Sequence, residues 1–182
     1  MATGKTNIAV LYGLICGGVS VVLTLVLYLA GAEYFGNFWL GIAAFAISIA
    51  IAVMGGLAQK KANGGYLPFS EALKTVFTIF VISAFISTLF LYILLNYIDE
   101  PFRQALAQVT AEKTGEMMKN FGAPQDQIDK ATTDALDANN YSAKRMFLGF
   151  AFYCTIWFIF SLIIAAIIKR KRPEFENNSF NQ

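Results

Sequence analysis

Four runs of apolar residues, at 7–30, 38–57, 74–98 and 146–168, alternate along this chain with short or strongly polar stretches. Each is long enough to cross a bilayer as a helix, which takes roughly 20 residues at ~1.5 Å rise. Apart from the Lys74 that opens the third run, none contains an Asp, Glu, Lys, Arg or His. The pattern predicts an all-α polytopic membrane protein with four transmembrane helices, forming one integral membrane domain over 1–182. Composition agrees. The chain is 57% hydrophobic and 14% charged, against about 45–50% and about 25% in a soluble domain.

The segment between the third and fourth runs, 99–145, carries helical punctuation of its own. Pro101 suits a first helical turn, Phe102, Leu106, Val109 and Met117 recur at helical spacing, and Gly122 supplies a left-handed cap. Pro124 opens a second helix, with Ile128, Thr132, Ala135 and Leu136 on one side. The expectation is an amphipathic helical hairpin whose stripes face each other or the bilayer surface. The alternative is a solvated connector with only local helix.

Charge supplies orientation. Lys60, Lys61 and Lys74 flank the second loop, Lys169, Arg170, Lys171 and Arg172 open the tail 169–182, and Lys5 precedes the first run. Bases near span ends stay on the cytoplasmic side, so both termini are expected inside. The hairpin, with eight acids and six bases, is then extracytoplasmic. Lys144 and Arg145 at the outer end of the fourth run dissent, but are outnumbered by the bases at its other end. Ala30-Gly31-Ala32 resembles a signal cleavage site. The run before it is too long for a signal peptide's core of about 7–15 residues, which favours a retained span. Aromatic side chains gather at the span ends, whereas Trp157 lies mid-run among phenylalanines.

Small residues predict the packing, because lipid tails are as apolar as leucine and only close approach favours helix association. Gly13 and Gly17 form a GxxxG in the first run, and Ala44, Ser48, Ala52 and Gly56 recur four apart in the second. The first two helices are therefore expected to approach along these stripes, within one chain or in a homo-oligomer. Ser83 with Ser87 and Ser161 with Ala165 repeat the spacing more weakly.

Candidate chemistry is sparse. With no histidine, Ser-His, Cys-His and His-ligated metal sites are excluded. Cys16 and Cys154 are single cysteines in apolar runs and read as packing. No intramembrane charge is available to couple an ion gradient. Ser83, Ser87 and Thr88 either line a polar path or bond their own helix's carbonyls. The densest local cluster is Gly64-Gly65-Tyr66-Leu67-Pro68-Phe69-Ser70-Glu71-Ala72-Leu73-Lys74. Here two glycines and a proline shape a turn, Ser70 can cap, and Glu71 can pair with Lys74. The pair either starts a helix and sets its depth or contacts a phosphate headgroup or a charged partner.

The run from Gly65 to Lys74, the Tyr97-Ile98-Asp99-x-Pro101-Phe102 exit and the Gln/Asp-rich pair that follows resemble the family known as domain of unknown function 4199. Leu73 stands where that family often has a bulky aromatic. The resemblance implies small four-helix proteins of Gram-negative inner membranes, and no catalytic residue or cofactor. The leading expectation is a non-enzymatic inner-membrane scaffold, anchor or accessory subunit, with membrane lipids and a membrane-protein partner or second copy as its contacts and no nucleic acid. The alternative is a binder or carrier of an apolar, polyprenyl-like lipid. Tyr153, Trp157 and Phe160 would wall its tail, with Glu71 and Lys74 near its headgroup. A weaker alternative is an uncoupled solute pathway lined by hydroxyls.

Overall fold

The computed structural model describes residues 7–171; Lys5, Arg172 and most of the tail 169–182 lie outside the described residues. Four long helices, α1 (Ile8–Ala30), α3 (Phe38–Ala62), α4 (Phe69–Ile93) and α7 (Ala143–Ile168), are long and apolar enough to cross a membrane. A one-turn helix α2 (Ala32–Phe35) joins the first two. Helices α5 (Glu100–Asn120) and α6 (Gln125–Leu136) and a 3-10 turn (Ala138–Tyr141) join the last two. The described residues hold no strand beyond one isolated bridge, between Leu67 and Arg170.

Three helices begin or end beyond their apolar runs. Helix α4 starts at Phe69 rather than at Lys74, with Pro68 as its N-cap and no side-chain cap, so the expected capping role of Ser70 is not realised. Glu71 and Ala72 donate to the Pro68 carbonyl instead. Helix α3 continues past Leu57 to Ala62, and α7 begins at Ala143, capped by Ser142. The reason is common to all three: a charged residue ends an apolar run without ending a helix, because Ser-Glu-Ala-Leu-Lys and Ala-Gln-Lys-Lys remain good helix formers once they leave the hydrocarbon.

Helix α4 is the hub. Thr75, Val76, Ile79, Phe80 and Ser83 are all buried along it, and α1, α3 and α7 all pack against it. The small residues act differently from the sequence expectation. The nearest neighbours of Gly13 and Gly17 are on α4 rather than α3; a Cβ on Gly13 would lie 2.9 Å from Ile82 Cβ, and one on Gly17 would lie 2.7 Å from Ile86 Cδ1. Two bulky β-branched residues four apart fill the two glycine notches, which the spacing of small residues alone cannot reveal. Helix α3 makes its close approach only at one end, through Ala52, Gly55 and Gly56, where Gly55 faces Tyr12 and Ile79. Ala44 and Ser48, farther along the same stripe, are only half-buried. Ser161 and Ala165 are fully buried on α7.

At the other end α4 continues through a π-helical turn, Leu94–Ile98, and the Asp99 amide donates to the Leu94 carbonyl at 2.9 Å. The extra residue turns Asn96 so that its amide donates to the Tyr141 carbonyl while its oxygen accepts from Arg103. Asp99 caps α5 through the Phe102 amide and accepts a 2.8 Å bond from the Tyr28 hydroxyl. The α5 and α6 helices form the expected hairpin, turning at Gly122 with φ +73°. Leu106, Ala107, Ala111 and Ile128 are its buried residues, whereas Met117 and Leu136, expected in the apolar stripes, are 55% and 50% exposed. Leu106 and Ile128 are the stripe members that the seam buries, and beyond them it runs through small residues, with Gly115 lying against Thr132.

Candidate functional site

Hydroxyl placement decides where a site can lie within an apolar bundle. Ser20, Thr24, Ser48 and Ser161 donate to carbonyls one turn back on their own helices, at 2.7–3.0 Å. That is the ordinary way to satisfy a hydroxyl in a membrane helix. Ser83, Ser87 and Thr88 on α4 do not bond back. Ser83 lies 3.5 Å from the Ser20 hydroxyl, while the Ser87 and Thr88 hydroxyls make no hydrogen bond to any described residue. All three face one cavity of about 240 Å³, bounded also by Ser20, Ser48, Phe80, Ala84, Phe150, Tyr153 and Trp157. No lining residue carries a charge.

The aromatic wall is set by stacking. Trp157 lies between Phe80, at 4.2 Å between ring centroids and 19° interplanar angle, and Phe45, at 5.1 Å and 20°. This explains a tryptophan far from the interfacial belt: both ring faces are covered by helices α3 and α4, so the indole clamps them to α7. Phe160 packs edge-on against Phe45 and does not reach the cavity. Tyr153, 60% exposed, stands where the cavity meets the lipid-facing surface. Of the three residues expected to form a tail-binding wall, Tyr153 and Trp157 line the cavity and Phe160 buttresses it from behind.

The second feature is at the basic end of the bundle. Gly64 and Gly65, with φ +71° and +90°, turn the chain after α3, and Leu67 exchanges two 2.8 Å backbone bonds with Arg170. Lys60 caps α7 through the Ile168 carbonyl. Glu71 does not pair with Lys74: no ion pair joins them among the described residues, and Lys74 is exposed. Glu71 Oε1 instead accepts from Asn63 Nδ2 at 2.7 Å and Gln59 Nε2 at 3.4 Å. The two residues sit one turn apart, yet the carboxylate bonds the neutral amides at the α3-to-α4 turn and not Lys74. Asn63, Tyr66, Pro68, Glu71 and Lys171 bound a pocket of about 610 Å³ there.

A family model described as a protein of unknown function, DUF4199, matches residues 11–170. The chain belongs to the DUF4199 family. The match spans every residue of the hydroxyl cavity in this DUF4199 protein, and all of the basic-end pocket except Lys171. No curated protein and no solved structure matches the chain.

Sequence reasoning singled out Ser83, Ser87, Thr88, Tyr153 and Trp157, but not as one site. It missed Ser20, Phe80 and Ala84, and assigned Ser48 to packing alone. The signal for Ser20 was present: it lies three residues beyond Gly17, on the side of α1 that meets α4. Cys16 is buried and Cys154 half-buried, both as free thiols. Neither lines the cavity.

Proposed function

We propose that this protein works by binding rather than by chemistry, and that the cavity beside Trp157 holds part of a neutral membrane amphiphile: an apolar chain bearing a hydroxyl or carbonyl group. The observation that carries this reading is the pair of hydroxyls, Ser87 and Thr88, that bond no described residue, on a helix long and apolar enough to span a membrane. A polar group left unpaired in hydrocarbon costs on the order of a few kcal/mol, so a cavity lined with such groups favours an occupant able to bond them. The lining carries no charge to compensate an ionised group, which favours a neutral one. The volume, about 240 Å³, lies below the ~300–1,000 Å³ of pockets that engulf whole small molecules, which suits a segment of a longer chain of the polyprenyl-alcohol kind.

The setting proposed for this role is a bacterial inner membrane with both termini cytoplasmic and the α5–α6 hairpin outside. Its support is that Lys60, Lys61, Lys74, Lys169, Arg170 and Lys171 cluster at the bundle end joined by the Leu67 bridge. Cysteines placed at Asn120 and Asn63 in a Cys16→Ala, Cys154→Ala background check it. The first is expected to react with an impermeant reagent from outside and the second to be protected, and the reverse pattern would invert the topology.

Binding is tested by fluorescence. The chain has two tryptophans, so Trp39→Phe leaves Trp157 as the single indole reporter. A brominated long-chain alcohol is expected to quench Trp157 more strongly than the matching brominated alkane. Ser87→Ala with Thr88→Val removes the difference, and Ala84→Phe, which fills the cavity, removes quenching by both. Equal quenching by alcohol and alkane in the unsubstituted cavity refutes polar recognition. A second reading, that of scaffold or accessory subunit, is favoured by the start of α3, where Phe38 and Trp39 are 73% and 75% exposed. A stoichiometric membrane-protein partner retained in mild detergent would support it.

A further inference from the structure

The pocket at the basic end of the bundle holds a separate arrangement, which does not depend on the hydroxyl cavity. Glu71 forms part of its wall with only one oxygen engaged: Oε1 accepts from Asn63 and Gln59, and Oε2 accepts from no described residue. Lys171 lines the same pocket, exposed, and no ion pair closes it onto Glu71 among the described residues. Its neighbours are already turned elsewhere, with Arg170 over the Tyr66 ring at 5.7 Å and Lys169 over the Phe69 ring at 5.8 Å. One site therefore presents a carboxylate oxygen and an ammonium that are unpaired among the described residues and do not neutralise each other. A ligand carrying both charges a few ångströms apart satisfies both groups. A simple anion meets Glu71, and a simple cation meets Lys171, at a like charge. The pocket also lies where charged residues first interrupt the apolar runs of α3 and α4, the depth of lipid headgroups.

We infer that this pocket binds the zwitterionic headgroup of an aminophospholipid, its primary ammonium donating to Glu71 Oε2 and its phosphate resting against Lys171. Asn63 and Gln59 hold the carboxylate in place through Oε1, and the Tyr66 ring and Pro68 form the uncharged wall. A primary ammonium is required, because a quaternary choline nitrogen has no N–H to donate. Discrimination between the two headgroups thus reports on Glu71 specifically.

The experiment uses the full chain in nanodiscs of phosphatidylglycerol doped with either phosphatidylethanolamine or phosphatidylcholine of the same acyl chains, with bound lipids counted by native mass spectrometry. The ethanolamine lipid is expected to be retained about tenfold better than the choline lipid, the size of one charge-assisted hydrogen bond. Glu71→Gln keeps an acceptor for Asn63 and Gln59 and is expected to erase the preference, while Lys171→Ala weakens retention of both lipids. Equal retention of the two lipids by the unsubstituted protein, or an undiminished preference in Glu71→Gln, overturns the assignment. Water-soluble phosphoethanolamine competing at the lipid's own concentration would overturn the lipid source and leave a soluble zwitterion as the ligand. Because the readout is headgroup preference, failure here leaves the Trp157 quenching result untouched, and the converse also holds.

Discussion

Substituting the glycines of α1 one at a time measures whether Gly13 and Gly17 serve close packing. A Cβ on Gly13 would lie 2.9 Å from Ile82 Cβ and 3.1 and 3.2 Å from its Cγ2 and Cδ1. The nearest of these is fixed to the α4 backbone, so no rotamer change relieves the contact and the two helices must separate. At Gly17 the 2.7 Å neighbour is Ile86 Cδ1, the far end of a flexible side chain, but Ile86 Cβ follows at 3.1 Å. Gly18, next in sequence, has nothing within 4 Å of its Cβ position and supplies the internal control. Alanine in place of glycine gains about 0.8–1 kcal/mol of helix propensity at any of the three, and overpacking costs about 1–3 kcal/mol where the space is filled. The difference between Gly18→Ala and Gly13→Ala cancels the propensity term and isolates the packing cost. It is expected at about 2 kcal/mol, with Gly17→Ala lying between. Reversible unfolding in bicelles gives each value. Gly13→Ala and Gly18→Ala variants of equal stability would refute the claim that α1 and α4 are in contact through these notches.

Two further outcomes concern the α5–α6 end. Asp99→Ala removes both the α5 cap and the acceptor for Tyr28 and is expected to destabilise the protein by about 2 kcal/mol, against about 1 kcal/mol for Tyr28→Phe; equal losses in the two variants would show that the cap contributes nothing. Burial in the 3-10 turn pushes the Tyr141 phenol above its ordinary range, with Thr110 and Arg103 pulling partly back. The folded protein therefore holds this proton at a pH where the unfolded chain releases it. The associated stability is present below about pH 10 and is lost as pH rises through the folded pKa. Tyr141→Phe is expected to make the alkaline loss shallower, as read by thermal melts across that range, and an unchanged alkaline slope would refute it.

The four spans were legible in the sequence because a bilayer requires long uncharged helices, and that requirement leaves a pattern no tertiary contact can override. The hairpin was legible for another reason. Pro101, Gly122 and Pro124 act through their own backbone, and the structure turns where they stand. Helix pairing was not legible. Gly13 and Gly17 announce that something approaches, but what approaches is a pair of isoleucines on α4, and Ile82 and Ile86 are indistinguishable in composition from their lipid-facing neighbours. A notch is visible in one sequence segment, whereas its ridge is defined only by the fold.

The same asymmetry governs the candidate site. Ser48 and Ser87 are both serines in apolar helices, yet Ser48 closes on the Ala44 carbonyl and Ser87 does not close on Ser83. Nothing local separates them. Both line the space beside the stacked ring of Trp157, a ring fixed by Phe45 and Phe80 from two other helices, yet only Ser87 brings to it a hydroxyl not already bonded to its own helix. The cavity is thus a consequence of four-helix packing, and its hydroxyls acquire meaning only afterwards. Trp157→Leu tests this dependence directly. The smaller side chain can neither stack on Phe80 nor brace Phe45, so α3 is expected to settle toward α7, closing the cavity and costing about 3 kcal/mol, as for an aromatic lost from a packed core. A crystal or cryo-EM structure of the variant with the cavity unchanged would show that the hydroxyl-lined space is held open by something other than the indole.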